Sequence, residues 1–245
     1  ETLKKKYSKT YAELLVMKED LSTKIFDMES LKEKEKKLKD EIAEVKSKFE
    51  KKAKLISDKR KNISKDFEEK VEEEIKDLGF EKAHFKVEMK EKTEIDGQGM
   101  DEVKFLFEPN VGEGWNKLSS IASGGELSRV MLALKSILSE VDRVEGLVFD
   151  EIDVGIGGSL AKKVGEKMKE IGLRRQVLCV THLPSIAAEA NSHLKVEKKE
   201  RNGRTITEVM EIRGDDRIEE IARMISGESS IETARKHAAE LLSGK

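Results

Sequence analysis

Two short stretches of this chain carry residue types that could do chemistry together. Ser123-Gly124-Gly125-Glu126 opens a run of helix-forming residues. Two adjacent glycines let backbone N–H groups approach an anion with no side chain in the way. The helix predicted to start there adds unpaired N–H donors and the positive end of a dipole. A terminal phosphate would sit well against it. Leu147-Val148-Phe149-Asp150-Glu151 reads as an apolar strand ending in two carboxylates. In open α/β sheets ligands bind at that edge. One carboxylate can hold Mg²⁺ through water, and the next can orient or deprotonate an attacking water. Each stretch also has a plainer reading. Ser123-x-x-Glu126 has the spacing of a capping box, and an acid pair after an apolar strand is common by chance.

A second apolar strand, Val177 to Val180, runs into Thr181-His182. His182 is therefore expected on the same sheet edge, where it could contact a terminal phosphate and sense its loss; an ordinary polar residue closing a strand would look the same. Gly155-x-Gly157-x-x-Leu160 is a poor dinucleotide fingerprint. Leu160 stands where the third glycine belongs, and the next strand ends in Thr181-His182 rather than in an acid for a ribose. Cys179-x-x-His182 has no second ligand pair at zinc-site spacing, so Cys179 is expected to be a small buried apolar residue. No Gly-x-x-x-x-Gly-Lys-Ser/Thr loop occurs, and the one Gly-Lys pair is Gly244-Lys245. If the two stretches serve a nucleotide, the loop that cradles its phosphates must come from elsewhere.

The elements that must position these groups are legible in the apolar spacing. Residues 1–78 contain neither Pro nor Gly. Leu21, Ile25, Met28, Leu31, Leu38, Ile42, Val45, Phe49, Ile56, Ile63, Phe67, Val71, Ile75 and Leu78 step by three, four or seven. That is a heptad seam. A helix of about 65 residues would reach on the order of 100 Å, and its stripe requires a partner helix. Gly79 is placed to end it. We therefore expect a coiled-coil arm, one helix of an antiparallel pair, over 1–79 and an α/β lobe over 80–245.

Within the lobe, Phe85, Val87 and Met89 alternate with polar residues, as do Val103, Phe105 and Phe107, with Asp96-Gly97 between. Glu108 to Leu118 reads as a loop. Helices are predicted over 126–140 and 159–171, and Pro184 suits the first turn of a short one. Asn202-Gly203 between two alternating runs signals a hairpin. Two helices, near 216–225 and 230–242, finish the chain. Strands alternating with helices argue for an α/β sheet with parallel strands in its middle.

Composition narrows the classes. The chain has 245 residues, 40% charged and 4% aromatic, which suits a long solvated helix. Its net charge of −2 advertises no global attraction to nucleic acid. Lysine clusters such as Lys59 to Lys61 with Arg60 read as solvated faces. One cysteine rules out an intrachain disulfide framework and fits a reducing cytoplasm. No apolar run approaches membrane-spanning length. Glu1 in place of Met reads as a piece of a longer or processed chain.

These residues resemble the C-terminal half of the RecN family, bacterial DNA repair ATPases of the structural-maintenance-of-chromosomes-like group. Lys5-Lys6-Tyr7, then Tyr11-Ala-Glu-Leu-Leu15, is similar to the segment that precedes the family's returning arm, with Ser8 where a glycine is usual. Asp101 to Phe107 resembles the strand before the family's signature motif. Ala122-Ser-Gly-Gly-Glu-Leu-Ser-Arg129 resembles that motif, and Ala122, where transporter-type motifs have Leu, favours this family. Phe149-Asp-Glu-Ile-Asp153 with Gly155, Gln176 to Pro184, and Arg217 with Glu219 to Met224 are similarly close.

The resemblance implies the C-terminal lobe of an ABC/SMC-type P-loop ATPase head with a long coiled-coil arm. Two such heads sandwich two ATP molecules. Ser123, Gly124 and Gly125, with Glu126 in the same turn, would then meet the terminal phosphate of the opposite head's nucleotide. Asp150 would bind Mg²⁺ through water, and Glu151 would be the general base. Asp153 would lie in the loop linking the two sites, and His182 would be the switch histidine. ATP and Mg²⁺ are the implied cofactors. The N-terminal half of the same protein, a second head and DNA are the implied partners, with no membrane, in the cytoplasm on the nucleoid. The implied role is repair of DNA double-strand breaks, and this chain alone is expected not to hydrolyse ATP. The alternatives are a non-catalytic coiled-coil scaffold, or a chromosome-condensing or nuclease-partner relative. Those relatives have much longer arms.

Overall fold

The computed structural model describes residues 2–121, 123–201, 204–227 and 232–244. Ala122, the Asn202-Gly203 turn and the predicted helix start at Ser230 lie outside them. The chain divides into two compact units, Glu1–Lys61 with Glu91–Glu102, and Asn62–Lys90 with Val103–Lys245.

The first unit is built on helix. Helix α1 (Thr2–Tyr7) ends where Ser8 takes a left-handed backbone, φ 50°. Helix α2 (Tyr11–Asp77) follows, 67 residues long. Its start is a reciprocal capping box. The Thr10 N–H donates to Glu13 Oε2 at 2.7 Å, and the Glu13 N–H donates to Thr10 Oγ1 at 3.4 Å. The seam residues lie open along this unit. Ile25, Met28, Leu31, Leu38, Ile42 and Val45 are all exposed, Ile42 by 66%. The outer parts of two strands, β1 (His84–Asp96) and β2 (Gly99–Glu108), complete the unit. A two-residue connection forces them antiparallel. They are pinned to α2 through buried Asp101, which accepts from Ser57 Oγ at 2.7 Å and Arg60 Nη1 at 3.1 Å.

In the second unit the same seam turns inward. Val71, Ile75 and Leu78 have no exposed surface. The helix then closes in a Schellman motif. The Phe80 N–H donates to Ile75 O at 3.1 Å and the Gly79 N–H to Lys76 O at 3.3 Å. Gly79 has φ +94°, a left-handed backbone that favours glycine, and it packs beneath the Leu160 side chain. Of the alternating strand residues, Phe85 and Phe107 reach the core while Val103 and Phe105 remain 39% exposed. The segment read as loop contains strand β3 (Asn116–Lys117), antiparallel to β2, and a 3₁₀ turn (Leu118–Ser120).

The core is completed by α3 (Gly124–Ile137), β4 (Gly146–Phe149), α4 (Gly158–Gly172) and β5 (Gln176–Cys179). Strands β4 and β5 are parallel, Leu147 opposite Val177 and Phe149 opposite Cys179. One face, through Leu147 and Phe149, packs into the core. The other presents Val148 at 71% exposure, with Leu178 and Val180 also open. Helix α5 (Pro184–Glu189) and hairpin β6–β7 (His193–Arg201, Arg204–Ile212) follow. Helices α6 (Gly214–Ser226) and α7 (Glu232–Ser243) share a second small core through Ile221, Ala222, Ala234 and Ala238. Among the described residues no helix is long and apolar enough to cross a membrane.

Candidate functional site

Parallel pairing brings the ends of β4 and β5 to one edge. Asp150 and Glu151 follow directly on Phe149, and the Val180 N–H donates to Phe149 O at 2.9 Å, which carries Thr181 and His182 to the same edge. Helix α3 begins beside them. Ser123 caps it, its Oγ accepting from the Glu126 N–H at 3.4 Å. Glu126 supplies the acid of the first turn.

The loop 150–156 lies against that helix start. Glu151 holds a left-handed backbone, φ 58°, a conformation a non-glycine residue adopts only under constraint from its surroundings. Its N–H donates to Asp150 Oδ1 at 2.9 Å. Its carboxylate fills the space over Gly124, where an added Cβ would meet Glu151 Oε2 at 2.2 Å. At Gly125 an added Cβ would meet backbone: Val154 O at 2.9 Å and Glu151 O at 3.0 Å. The glycine pair therefore admits the loop against the helix start.

Asp153 is 5% exposed, and its Oδ2 accepts two hydrogen bonds with an imidazole beside them. Thr181 Oγ1 donates at 2.7 Å, the His182 N–H donates at 2.8 Å, and His182 Nδ1 lies at 2.9 Å. The imidazole thus lies at ion-pair distance from the carboxylate, outside hydrogen-bond geometry. The imidazole is 73% exposed. Burial pushes the Asp153 carboxyl up, but the Thr181 hydroxyl, the His182 amide and the imidazole together bring it below its ordinary value. Its stabilisation is thus complete above the unfolded value of about 3.9 and is lost as pH falls through the lower folded value. Asp153→Asn should therefore flatten the acid limb of stability below about pH 4. Urea titrations of both proteins between pH 6 and 3 would test this; parallel acid limbs would contradict it. Burial, with the charges of Asp153 and Asp150, pushes the Cys179 thiol up to about 12. At neutral pH it is a protonated, half-buried apolar group.

The structure thus brings Ser123, Gly124, Gly125, Asp150 and Glu151 to one helix start and ties Asp153 to His182 across the two strands. Sequence reasoning missed Thr181 as a partner of Asp153. It also missed Ser128, whose hydroxyl donates to Asp150 O at 3.0 Å. Arg129 reaches the same loop. Among the described residues no group of three or more metal-binding side chains occurs. Mg²⁺ bound with a nucleotide needs only one or two carboxylates, the rest coming from phosphate and water, and exposed Asp150 fits that demand.

No family model matches the chain. It is 37% identical over 255 residues to the DNA repair protein RecN of Bacillus subtilis, covering 98% of this chain and 44% of that protein. It is 38% identical over 253 residues to RecN of Treponema pallidum, covering 98% and 43%. It is 46% identical over 170 residues to RecN of Deinococcus radiodurans, covering 69% and 30%. The chain spans less than half the length of the curated relatives it matches. Among solved structures it resembles the Smc head domain with a coiled coil and joint from Pyrococcus yayanosii, with TM-score 0.54, 19% identity, and coverage of 93% of this chain and 38% of that one. The Smc head with an extended coiled coil from Pyrococcus furiosus matches with TM-score 0.52 and 19% identity, over 82% of this chain and 48% of that one. The fold is that of an SMC-type α/β head lobe with its arm.

Proposed function

We propose that this chain, which belongs to the RecN family, is the C-terminal part of an ATPase that repairs DNA double-strand breaks. Its residues complete a nucleotide site whose lysine-bearing phosphate loop comes from the N-terminal half of the same protein. The observation that carries this reading is the meeting, at one strand edge, of a glycine helix start, two adjacent acids and an aspartate-held histidine. The uncovered face of β4 and β5 supports it too. Parallel strands are normally buried on both faces, and Val148, Leu178 and Val180 await further chain.

In this reading Ser123, Gly124 and Gly125 offer N–H and hydroxyl groups to the terminal phosphate held by a second head, in an ATP-dependent dimer. Glu126 belongs to the same turn. Asp150 holds Mg²⁺ through water; bound with ATP, the ion neutralises phosphate charge. Glu151 takes the proton of the attacking water. His182, its backbone N–H held by Asp153 and its ring beside that carboxylate, presents its imidazole to the phosphate, and Asp153 couples this contact to the loop between sites. The intact protein acts on DNA in the cytoplasm, at the nucleoid.

The chain alone should show no ATP hydrolysis above background, and joining it to the N-terminal half should restore turnover. Unaided turnover by the pure chain would end this reading. So would an intact protein that neither binds nor hydrolyses ATP, which would leave a coiled-coil scaffold.

A further inference from the structure

Arg129 has no part in the roles above, and its environment is unusual. It is 7% exposed, and among the described residues no carboxylate pairs with it. Its Nη1 donates to Val154 O at 3.1 Å and to Ile152 O at 3.4 Å. Its Nε is buried without a hydrogen-bond partner. The guanidinium lies 5.3 Å from the centre of the Phe80 ring, within cation–π range. Burial depresses its pKa, and only the nearby charge of Glu126 opposes this.

A buried cation answered by carbonyls and a ring is a poor source of stability. Apolar residues of similar volume often do as well or better at such places. What the guanidinium does that an apolar side chain cannot is hold two backbone carbonyls in a fixed direction. Those carbonyls flank Asp153, and that of Ile152 follows Glu151 directly. On its other side stands Phe80, the residue that closes the Schellman motif at the end of α2 and packs edge-on against Phe107 at 5.4 Å.

We propose that Arg129 is a positioning residue. Anchored on Phe80, it sets the loop 151–154, and through it the placement of Glu151 and Asp153. The inference rests on the nucleotide reading above but adds a residue that touches no reacting atom.

The test uses the intact protein with Arg129→Met, Arg129→Lys and Phe80→Leu. Arg129→Met should fold with a melting temperature at or above wild type. Its KM for ATP should stay within about twofold, while kcat falls by about tenfold or more, the scale of a misplaced reacting group. Arg129→Lys keeps one donor and should recover part of kcat. Phe80→Leu should lower kcat in the same direction. Hydrogen exchange gives a readout independent of turnover: in Arg129→Met the amides of 151–156 should exchange faster, with the body of α3 unchanged. Wild-type kcat in Arg129→Met, or unchanged exchange in the loop, would overturn the proposal. Should Arg129→Met fail to fold, wild-type kcat in Arg129→Lys would do the same. Absence of turnover in the wild-type intact protein would instead count against the nucleotide reading, and the exchange experiment would still decide on Arg129.

Discussion

Glu151→Gln in the intact protein should reduce ATP hydrolysis by about 10²- to 10⁴-fold, the usual worth of a positioned general base. The substitution keeps the length and shape of the side chain. It therefore keeps the packing over Gly124 and the left-handed backbone that carries it. Asp150, the proposed Mg²⁺ ligand, is untouched, and its hydrogen bond from the residue 151 N–H does not depend on the side chain. Nucleotide binding should consequently survive, and so should thermal stability. Loss of turnover with retained binding separates a base from a binding or folding role. Persistent hydrolysis in Glu151→Gln would remove Glu151 from that role. Failure of wild type and variant alike to bind ATP would favour the scaffold.

How the site is assembled was only partly legible beforehand. The heptad seam, the stop at Gly79 and the parallel strands are local or periodic signals, and they reappear with small boundary shifts. α3 begins at Gly124 rather than 126 because Ser123 caps it. The break at Ser8 has its local signal too: Thr10-x-x-Glu13 marks the start of α2. By contrast, Ser128, Arg129 and Thr181 act on partners 22 to 28 residues away, in a loop whose path no local pattern encodes. The run Leu147-Val148-Phe149 reads as a continuously apolar strand, yet Val148 is uncovered. Apolar pattern records what a strand needs, not which segment of chain meets the need.

The glycine pair yields the second large effect, because its two members face different obstacles. At Gly125 an added methyl meets two carbonyl oxygens that cannot readily retreat. Val154 O is held by Arg129, and Glu151 O accepts the Val154 N–H at 3.1 Å. Gly125→Ala should therefore cost about 1–3 kcal/mol of stability, as overpacking against fixed atoms does. In the intact protein it should also displace the loop that carries Glu151 and Asp153, lowering turnover by about 10²-fold. At Gly124 the obstacle is the tip of the Glu151 side chain, which can swing aside. Alanine also suits a helix better than glycine, by up to about 1 kcal/mol. Gly124→Ala should thus be at least as stable as wild type. Its methyl, however, would stand in front of the N–H groups proposed to meet the terminal phosphate, so ATP-driven association of heads should be lost. Urea unfolding of this chain, with turnover and sizing of the intact protein, would read both effects. Wild-type stability in Gly125→Ala would mean that the loop is free to yield, and undiminished head association in Gly124→Ala would move the phosphate contact away from this helix start.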